Sequence, residues 1–422
     1  MKADLSRIEA LTALLDRPER TYPTIHIAGT NGKSTTARMI GAILAAHGLN
    51  SGVYTSPHLQ SVRERFAFGG AVPGGVTSEI MAPEEFAAVT GYLAPFVETV
   101  ESERGDQVTY FELTTSMAFE WMSERTVAAG VFEAGMGGTW DATNVVLPEV
   151  AVLSHIAVDH TEFLGTTPAQ NAREKVGIIK TEGRVVTAAQ DPEVLDLIRV
   201  TCTERNADLV ALGYDLRLVS DDLAVGGRVI SVAGIHAEYP EVFVPLHGAH
   251  QGANAALAIG SAEQFLGKAL DDEAVRAGLA TVQSPGRLEV VGRDPLVVLD
   301  GAHNPHGASA LADAIEESFV ALRRTLVVAI LSTKDVEGIL TRLVPISDRM
   351  IFTTSSHPKS SDPDELAERA RALGASDTAA EPEIGKAVTE AISRSAPDEL
   401  ILITGSLYAV GDARDLLVGP VE

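Results

Sequence analysis

Cysteine is almost absent: Cys202 stands alone among 422 residues. No intramolecular disulfide framework can therefore staple the chain, which fits a reducing compartment. Long apolar runs are missing too, and no stretch approaches the roughly 20 apolar residues that a membrane span requires. The start, MKADLSRIEALTALL, carries charges inside its apolar spacing and reads as an amphipathic helix, not a signal peptide. Cations are outnumbered, 33 Lys+Arg against 58 Asp+Glu, for a formal net charge of −25. That balance excludes the broad basic face needed for general binding to nucleic acid or an anionic membrane. What remains is ordinary globular usage, 45% hydrophobic and 22% charged. At about 150 residues per domain the length predicts two to three domains. The expectation is a cytoplasmic protein with neither nucleic acid nor membrane as a partner.

The first half alternates strands and helices. TYPTIHIAG is a short strand running into a glycine turn, and residues 36–47 carry Met39, Ile40, Ile43 and Leu44 at helical spacing until Gly48 stops them. Further buried strands are expected at 127–133, 150–155 and 184–188, with helices around 84–97, 111–123 and 168–179. This alternation predicts an α/β fold with a mostly parallel sheet. From about 207 to 244 the short pieces DLVALGY, DLRLVS, RVISVAG and EVFVPL suggest a small antiparallel meander. Helices return at 250–266 and 274–281, and Gln283-Ser284-Pro285-Gly286 is the expected linker. Apolar runs at 296–299, 325–331, 350–354 and 400–404, with helical stretches between, predict a second, smaller Rossmann-like α/β domain. The division expected is 1–284 and 285–422.

Gly29-Thr30-Asn31-Gly32-Lys33-Ser34-Thr35 lies where a strand ends and a helix begins. Glycines let backbone curl around an anion, and the free N–H groups of the helix start point at it. Lys33 supplies a charge for the β/γ-phosphates, and the hydroxyl of Ser34 or Thr35 can ligate Mg²⁺. Strict Walker spacing would need a glycine at position 27, which is Ile27, so this is a variant phosphate loop. A plain glycine turn would not need lysine followed by a hydroxyl.

Glu133 closes the strand VAAGVFEAG at the carboxyl edge of the sheet, where α/β ligand sites lie. His155, Asp159, His160, Lys175 and Lys180 follow. A carboxylate and an imidazole from neighbouring strand ends could hold Mg²⁺ or Mn²⁺ beside the phosphates. Equally, Glu133 could cap a turn and His160 could pair with Asp159. His47, His236, His247 and His306 read as surface or core histidines, and Cys202 as a buried thiol. Trp121 reads as core, and Trp140 as either a ligand contact or packing. Asp221-Asp222 and Asp271-Asp272-Glu273 read as solvated turns.

GTNGKST, TSPHLQSVRERF (55–66), FEAGMGGTWDATN (132–144), AVDHTEFLG (157–165), REKVGIIK (173–180), HQGANAALA (250–258), PGRLEVV (285–291), LDGAHNP (299–305) and ITGSLYAVG (403–411) occur in this order. In this the chain resembles the folylpolyglutamate synthase/dihydrofolate synthase family of the Mur ligase superfamily, over about residues 5–414. The resemblance implies a P-loop Mur-ligase-like central domain followed by a smaller α/β domain. It implies ATP-dependent amide formation between L-glutamate and dihydropteroate, or the γ-carboxylate of a reduced folate's glutamate, through an acyl phosphate. A monomer is the family expectation. Three anionic reactants and a chain of charge −25 demand locally focused cations, and Lys33, Arg63, Arg65, Lys175, Arg287 and Lys334 are the candidates.

Position by position, the resemblance implies that Gly29 to Thr35 hold the phosphates, with Lys33 catalytic and Ser34 or Thr35 near Mg²⁺. Ser56 reaches a metal from a mobile loop, Glu133 ligates Mg²⁺, and His160 ligates a second metal. Lys175 matches the lysine that the family carbamylates. Asn254 corresponds to an adenine contact, Arg287 to a phosphate contact, and Asp300 with His303 to the ribose and phosphate side of the second domain. Ser406 lies where the cleft closes. The sequence departs at Ser34 (usually Gly), Thr139 (commonly Arg), Thr333 in Thr333-Lys334-Asp335 (often Asp) and Lys359 (often Arg). Two other classes remain open: a Mur-type ligase acting on a cell-wall precursor, and a nucleotide-binding protein without ligase activity.

Overall fold

The computed structural model describes residues 4–72, 75–159 and 161–421. Its first sheet is built from β1 (Thr24–Ala28), β2 (Ser51–Tyr54), β3 (Phe66–Val72), β4 (Gly75–Ile80), β5 (Ala129–Glu133), β6 (Val150–Leu153), β7 (Arg184–Thr187) and β8 (Asp208–Ala211). Their spatial order is β4-β3-β2-β5-β1-β6-β7-β8. Only the β2–β3 and β3–β4 pairings are antiparallel. β1 is fully buried and central, so its carboxyl end opens between those of β5 and β6. Ligand sites of such sheets lie there, where the crossovers diverge.

The helix Lys33–Ala46 follows β1 directly. It buries Met39, Ile40, Ile43 and Leu44 completely, each stabilising by roughly 1.5–3 kcal/mol. Those side chains share a core with β1, β5, β6 and the helix Ala249–Leu266. The phosphate loop is thus held between a rigid strand and a rigid helix.

A three-stranded antiparallel sheet follows, with β9 (Arg217–Ala224), β10 (Gly227–Ala233) and β11 (Glu238–Val244) in the order β11-β10-β9. The expected meander is therefore one strand shorter than its sequence suggests. Asp208–Ala211 joins the large sheet as β8, parallel to β7. The helix Pro192–Glu204 precedes it, and a strand–helix–strand crossover favours a parallel return. Asp221-Asp222 is not a turn either: both residues lie in β9, and Asp221 pairs with Arg228. Asp271 caps the helix Asp272–Ala280 by accepting from Ala274 N at 2.9 Å.

The last sheet comprises β12 (Glu289–Arg293), β13 (Leu296–Leu299), β14 (Arg324–Val328), β15 (Arg349–Phe352), β16 (Thr378–Ala380) and β17 (Leu400–Thr404), in the order β12-β13-β17-β14-β15-β16. Between the sheets, residues 283–287 form a turn with Gly286 at φ 66° and an Arg287 N–H to Ser284 carbonyl bond of 3.1 Å. Polar contacts tie the two halves together. Arg228 Nη1 meets Glu317 at 2.8 Å, Lys334 Nζ meets Asp159 at 2.6 Å, and Gln60 Nε2 donates to Asp415 at 2.6 Å. Cys202 is buried, and Trp121 is a core residue as expected. Among the described residues no helix is long and apolar enough to cross a membrane.

Candidate functional site

The phosphate loop sits at the carboxyl end of β1, and each of its residues is fixed by a different contact. Gly29 has φ 153°, and a methyl group there would lie 1.9 Å from Ser154 Oγ. Only glycine fits that approach. The Thr30 and Asn31 N–H groups donate to the His155 carbonyl at 2.9 and 3.3 Å, and the Thr30 hydroxyl donates to the Ala157 carbonyl at 2.9 Å. Gly32 has φ 85°, and its Cα faces Asn254 so closely that a Cβ would fall 2.4 Å from Oδ1. Asn254 Nδ2 in turn donates to Gln251 Oε1 at 3.0 Å.

Glu133, at the end of β5, is 1% exposed. One oxygen accepts from Ser56 N at 3.0 Å, and Lys33 Nζ stands 3.9 Å from the other. Burial pushes its carboxyl above the ordinary range, while Lys33, Ser34 and Ser56 pull it back. Among the described residues Ser56 Oγ is buried without a hydrogen-bond partner, on the residue whose backbone N–H meets Glu133. The Thr35 hydroxyl is engaged elsewhere, 3.0 Å from Ser284 Oγ in the linker. Hard oxygen donors from Glu133, Ser34 and the unpaired Ser56 suit Mg²⁺, which keeps several waters or phosphate oxygens and takes few protein ligands. Among the described residues no three His, Cys, Asp or Glu side chains form a metal cluster. His160 lies outside the described residues.

Lys175 is 4% exposed, and its ammonium donates to the Gly29 carbonyl at 2.8 Å. Burial above all, with Lys33 adding, brings its pKa down to about 7. Lys180, five residues on, points elsewhere: its Nζ donates to the carbonyl and side chain of Asn144 at 2.9 and 2.8 Å.

The second half closes over this floor. Asp300 and His303 follow β13. The Asp300 oxygens accept from Leu288 N and Ala302 N at 3.0 and 2.8 Å, so this carboxylate shapes the turn that presents Arg287. His303 Nδ1 is 2.8 Å from the Gly301 carbonyl, and its Nε2 is 3.7 Å from Asp159. Asn304 Nδ2 donates to Asn31 Oδ1 at 3.2 Å. Together these groups line a cavity of about 490 Å³ that includes Thr30 to Thr35, Ser56, Glu133, Asn254, Arg287, Asp300 and His303. The buried Ser406 caps the helix Leu407–Leu417 next to it, accepting from Tyr408 N at 3.3 Å. Trp140 packs about 3.3 Å from where a Gly137 Cβ would stand.

His306 is exposed, within the surface-or-core expectation, but it has partners that the sequence does not signal: its ring stacks on His155, with centroids 4.3 Å apart and planes 13° apart. Its Nδ1 lies 2.9 Å from Asn31 Nδ2. Burial lowers the pKa of His306 and takes that of His155 down to about 4, which keeps the stacked pair neutral. His250 and Gln251 also line the cavity. The only signal for His306 is its place directly after GAHNP, which orders it with the cleft.

Residues 76–262 match the Mur ligase middle domain, and residues 286–407 match the Mur ligase, glutamate ligase domain. A dihydrofolate synthase/folylpolyglutamate synthase of Mycobacterium tuberculosis is 37% identical over 450 residues, spanning 98% of this chain and 89% of that protein. The Bacillus subtilis protein of the same name is 34% identical, spanning 99% and 95%. Among solved structures, Mycobacterium tuberculosis folylpolyglutamate synthase complexed with ADP superposes with a TM-score of 0.93 at 37% identity, covering 99% of this chain and 95% of that one. E. coli FolC in complex with DHPP and ADP gives 0.84 at 28% identity, covering 98% and 92%. The chain belongs to the dihydrofolate synthase/folylpolyglutamate synthase family of ATP-dependent Mur ligases.

Proposed function

We propose that the cleft joins L-glutamate in amide linkage to dihydropteroate, or to the γ-carboxylate of a reduced folate's glutamate, at the expense of ATP. One observation carries this reading: a single cavity gathers the phosphate loop, Glu133 and the His303 segment of the second half. A carboxylate oxygen of the pterin substrate attacks the γ-phosphorus, and ADP departs. The glutamate nitrogen then attacks the acyl carbon, loses a proton, and expels phosphate. Lys33 neutralises the anions that must meet, and Arg287 adds a second cation from the linker. Glu133, Ser34 and Ser56 would hold Mg²⁺ (or Mn²⁺), which supplies charge neutralisation on the phosphates when bound. The engagement of Thr35 by Ser284 favours Ser34 as the hydroxyl ligand. His160 is the candidate ligand of a second ion.

Gly29 to Gly32 cradle phosphate oxygens, Asn254 borders the base, and His303 faces the ribose and phosphate side. Asp300 acts by holding Arg287 and the turn before it. The reading of Lys175 as a carbamylated lysine is supported by its burial, which brings the amine's pKa down to about 7 and so favours the neutral, nucleophilic form. Division at 284/285 is supported by the change of sheet between β11 and β12. A cytoplasmic monomer fits a cleft whose two walls come from one chain. The test is phosphate release with ATP, Mg²⁺ and L-glutamate, adding dihydropteroate, tetrahydrofolate or neither. Release that needs both glutamate and a pterin supports the ligase and names its substrate. Equal slow release in all three tubes overturns it.

A further inference from the structure

A second and larger cavity, of about 1130 Å³, lies on the other side of the phosphate-loop helix. One wall is aliphatic, formed by Val53, Ala67, Val76 and Ile80 of β2 to β4, and Leu288 and Val290 face it from the linker and β12. Into it come Arg38, Arg287, Arg293 and Arg414. Its two carboxylates are already engaged. Glu64 accepts from the N–H groups of Leu59, Gln60 and Ser61 at 3.0, 3.0 and 2.8 Å, and Glu289 accepts from Gly286 N at 2.8 Å and Arg414 Nε at 3.0 Å. Arg38 is different. It is half-buried on the helix Lys33–Ala46, and among the described residues its guanidinium has no hydrogen-bond or ion-pair partner. Burial lowers its pKa, with Glu64 and Glu133 opposing and Arg287 adding, yet it stays a cation. Arg287 and Arg293 likewise make no side-chain ion pair among the described residues.

An unpaired guanidinium in a half-buried cavity is costly unless an anion meets it. In a chain of net charge −25, the half-buried Arg38 and Arg287, with the exposed Arg293 beside them, form a local exception around one apolar-walled space. No α-helix presents its first turn here, so the backbone N–H groups that favour phosphate are lacking. Planar guanidinium forks match carboxylates, and the aliphatic wall accommodates a methylene chain. We propose that this cavity is a second ligand site taking an organic polycarboxylate, with Arg38 as its central contact and Arg287 and Arg293 at its sides.

Arg287 lines both cavities, and Thr35 meets Ser284 at 3.0 Å. An occupant therefore touches the same helix and linker that position the nucleotide. Two sources present the required chemistry: a γ-linked glutamate chain extending from a product, and a free metabolic polyacid. The inference does not depend on the ligase reading, because its readout is binding without turnover.

The experiment is calorimetric titration of the full chain, saturated with ADP, using tri-γ-glutamate in one arm and citrate in another. Binding of either probe with a dissociation constant below about 1 mM is expected. Arg38→Gln should weaken it by about tenfold or more, with Arg38→Lys recovering part of the loss. Binding of tri-γ-glutamate alone assigns the site to a product's tail, and binding of citrate alone assigns it to a free polyacid. If Arg38→Gln no longer binds ADP, Thr77→Trp, which fills the cavity from β4, takes its place. The proposal is overturned if neither probe binds, if ADP competes with the probe, or if the variant that retains ADP binding takes up the probe unchanged.

Discussion

Lys175 donates from its buried ammonium to the carbonyl oxygen of Gly29, 2.8 Å away, so a lysine 146 positions later in the chain supports the floor of the phosphate loop. The same nitrogen is the most strongly perturbed amine in the cleft, with its pKa brought down to about 7 by burial and by Lys33. Support and reactivity thus reside in one atom, and they can be separated.

In the fold, Lys175 binds fewer protons than the unfolded chain does between about pH 7 and its ordinary value of 10.5. Its contribution to stability therefore rises with pH across that window and is least at or below about 7. Lys175→Met should flatten the dependence of Tm on pH there, measured by thermal melts. It should also lower kcat by about 100-fold. In the unmodified protein a carbamate carbon signal from labelled bicarbonate should grow as pH rises through about 7, as the neutral amine accumulates. Absence of that signal at every pH would remove carbamylation from the mechanism.

Glu133 presents the opposite balance. Its carboxyl is held above its ordinary range by burial, so its ionised form costs stability at neutral pH, and that cost is relieved as pH falls through the raised value. Glu133→Gln should leave Tm unchanged or raise it, while kcat falls by about 100- to 1000-fold. A lowered Tm together with retained turnover would reverse the assignment.

Lys334 is one of several links across the two halves, its Nζ 2.6 Å from Asp159 at the cleft. Lys334→Met should loosen the closed form and admit water to the acyl phosphate. The expected outcome is a rise in phosphate released per amide formed, by about two- to tenfold. Coupled assays of phosphate and product measure that ratio, and an unchanged ratio would exclude a role in sealing the site.

Arg228 is 2% exposed and bridges Asp221 of the small sheet to Glu317 of the second half. Arg228→Ala leaves two carboxylates facing each other without a cation. A loss of about 3 kcal/mol is expected in denaturant melts, with Glu317→Gln in the same background recovering part of it.

Much of this was legible in the sequence because it is local. Lys33-Ser34-Thr35 after a glycine, and Met39, Ile40, Ile43 and Leu44 at helical spacing, dictate strand, loop and helix without tertiary help. Glu133 at a strand end was readable for the same reason. The misreadings arise where a partner is distant. Asp208–Ala211 alternates like a meander strand, but its fate was decided by pairing with β7. β3 and β4 carry glycines and polar residues, and their pairing with each other and with β2 forms them. Asp221-Asp222 resembles a solvated turn until Arg228 closes on it. The contacts of His306, though not its exposure, were equally illegible, since its partners Asn31 and His155 lie 275 and 151 positions away.

The pairing of Asn31 with Asn304 and His306, backed by the His155 ring, bears on modularity. Mur-type ligases look like two cassettes that could be exchanged between relatives. Here the phosphate loop of one cassette is completed by side chains of the other. A chimaera carrying a foreign second half would need an amide at 304 and an imidazole at 306, or Asn31 would lose both of its partners. The two halves of this chain have to be inherited together.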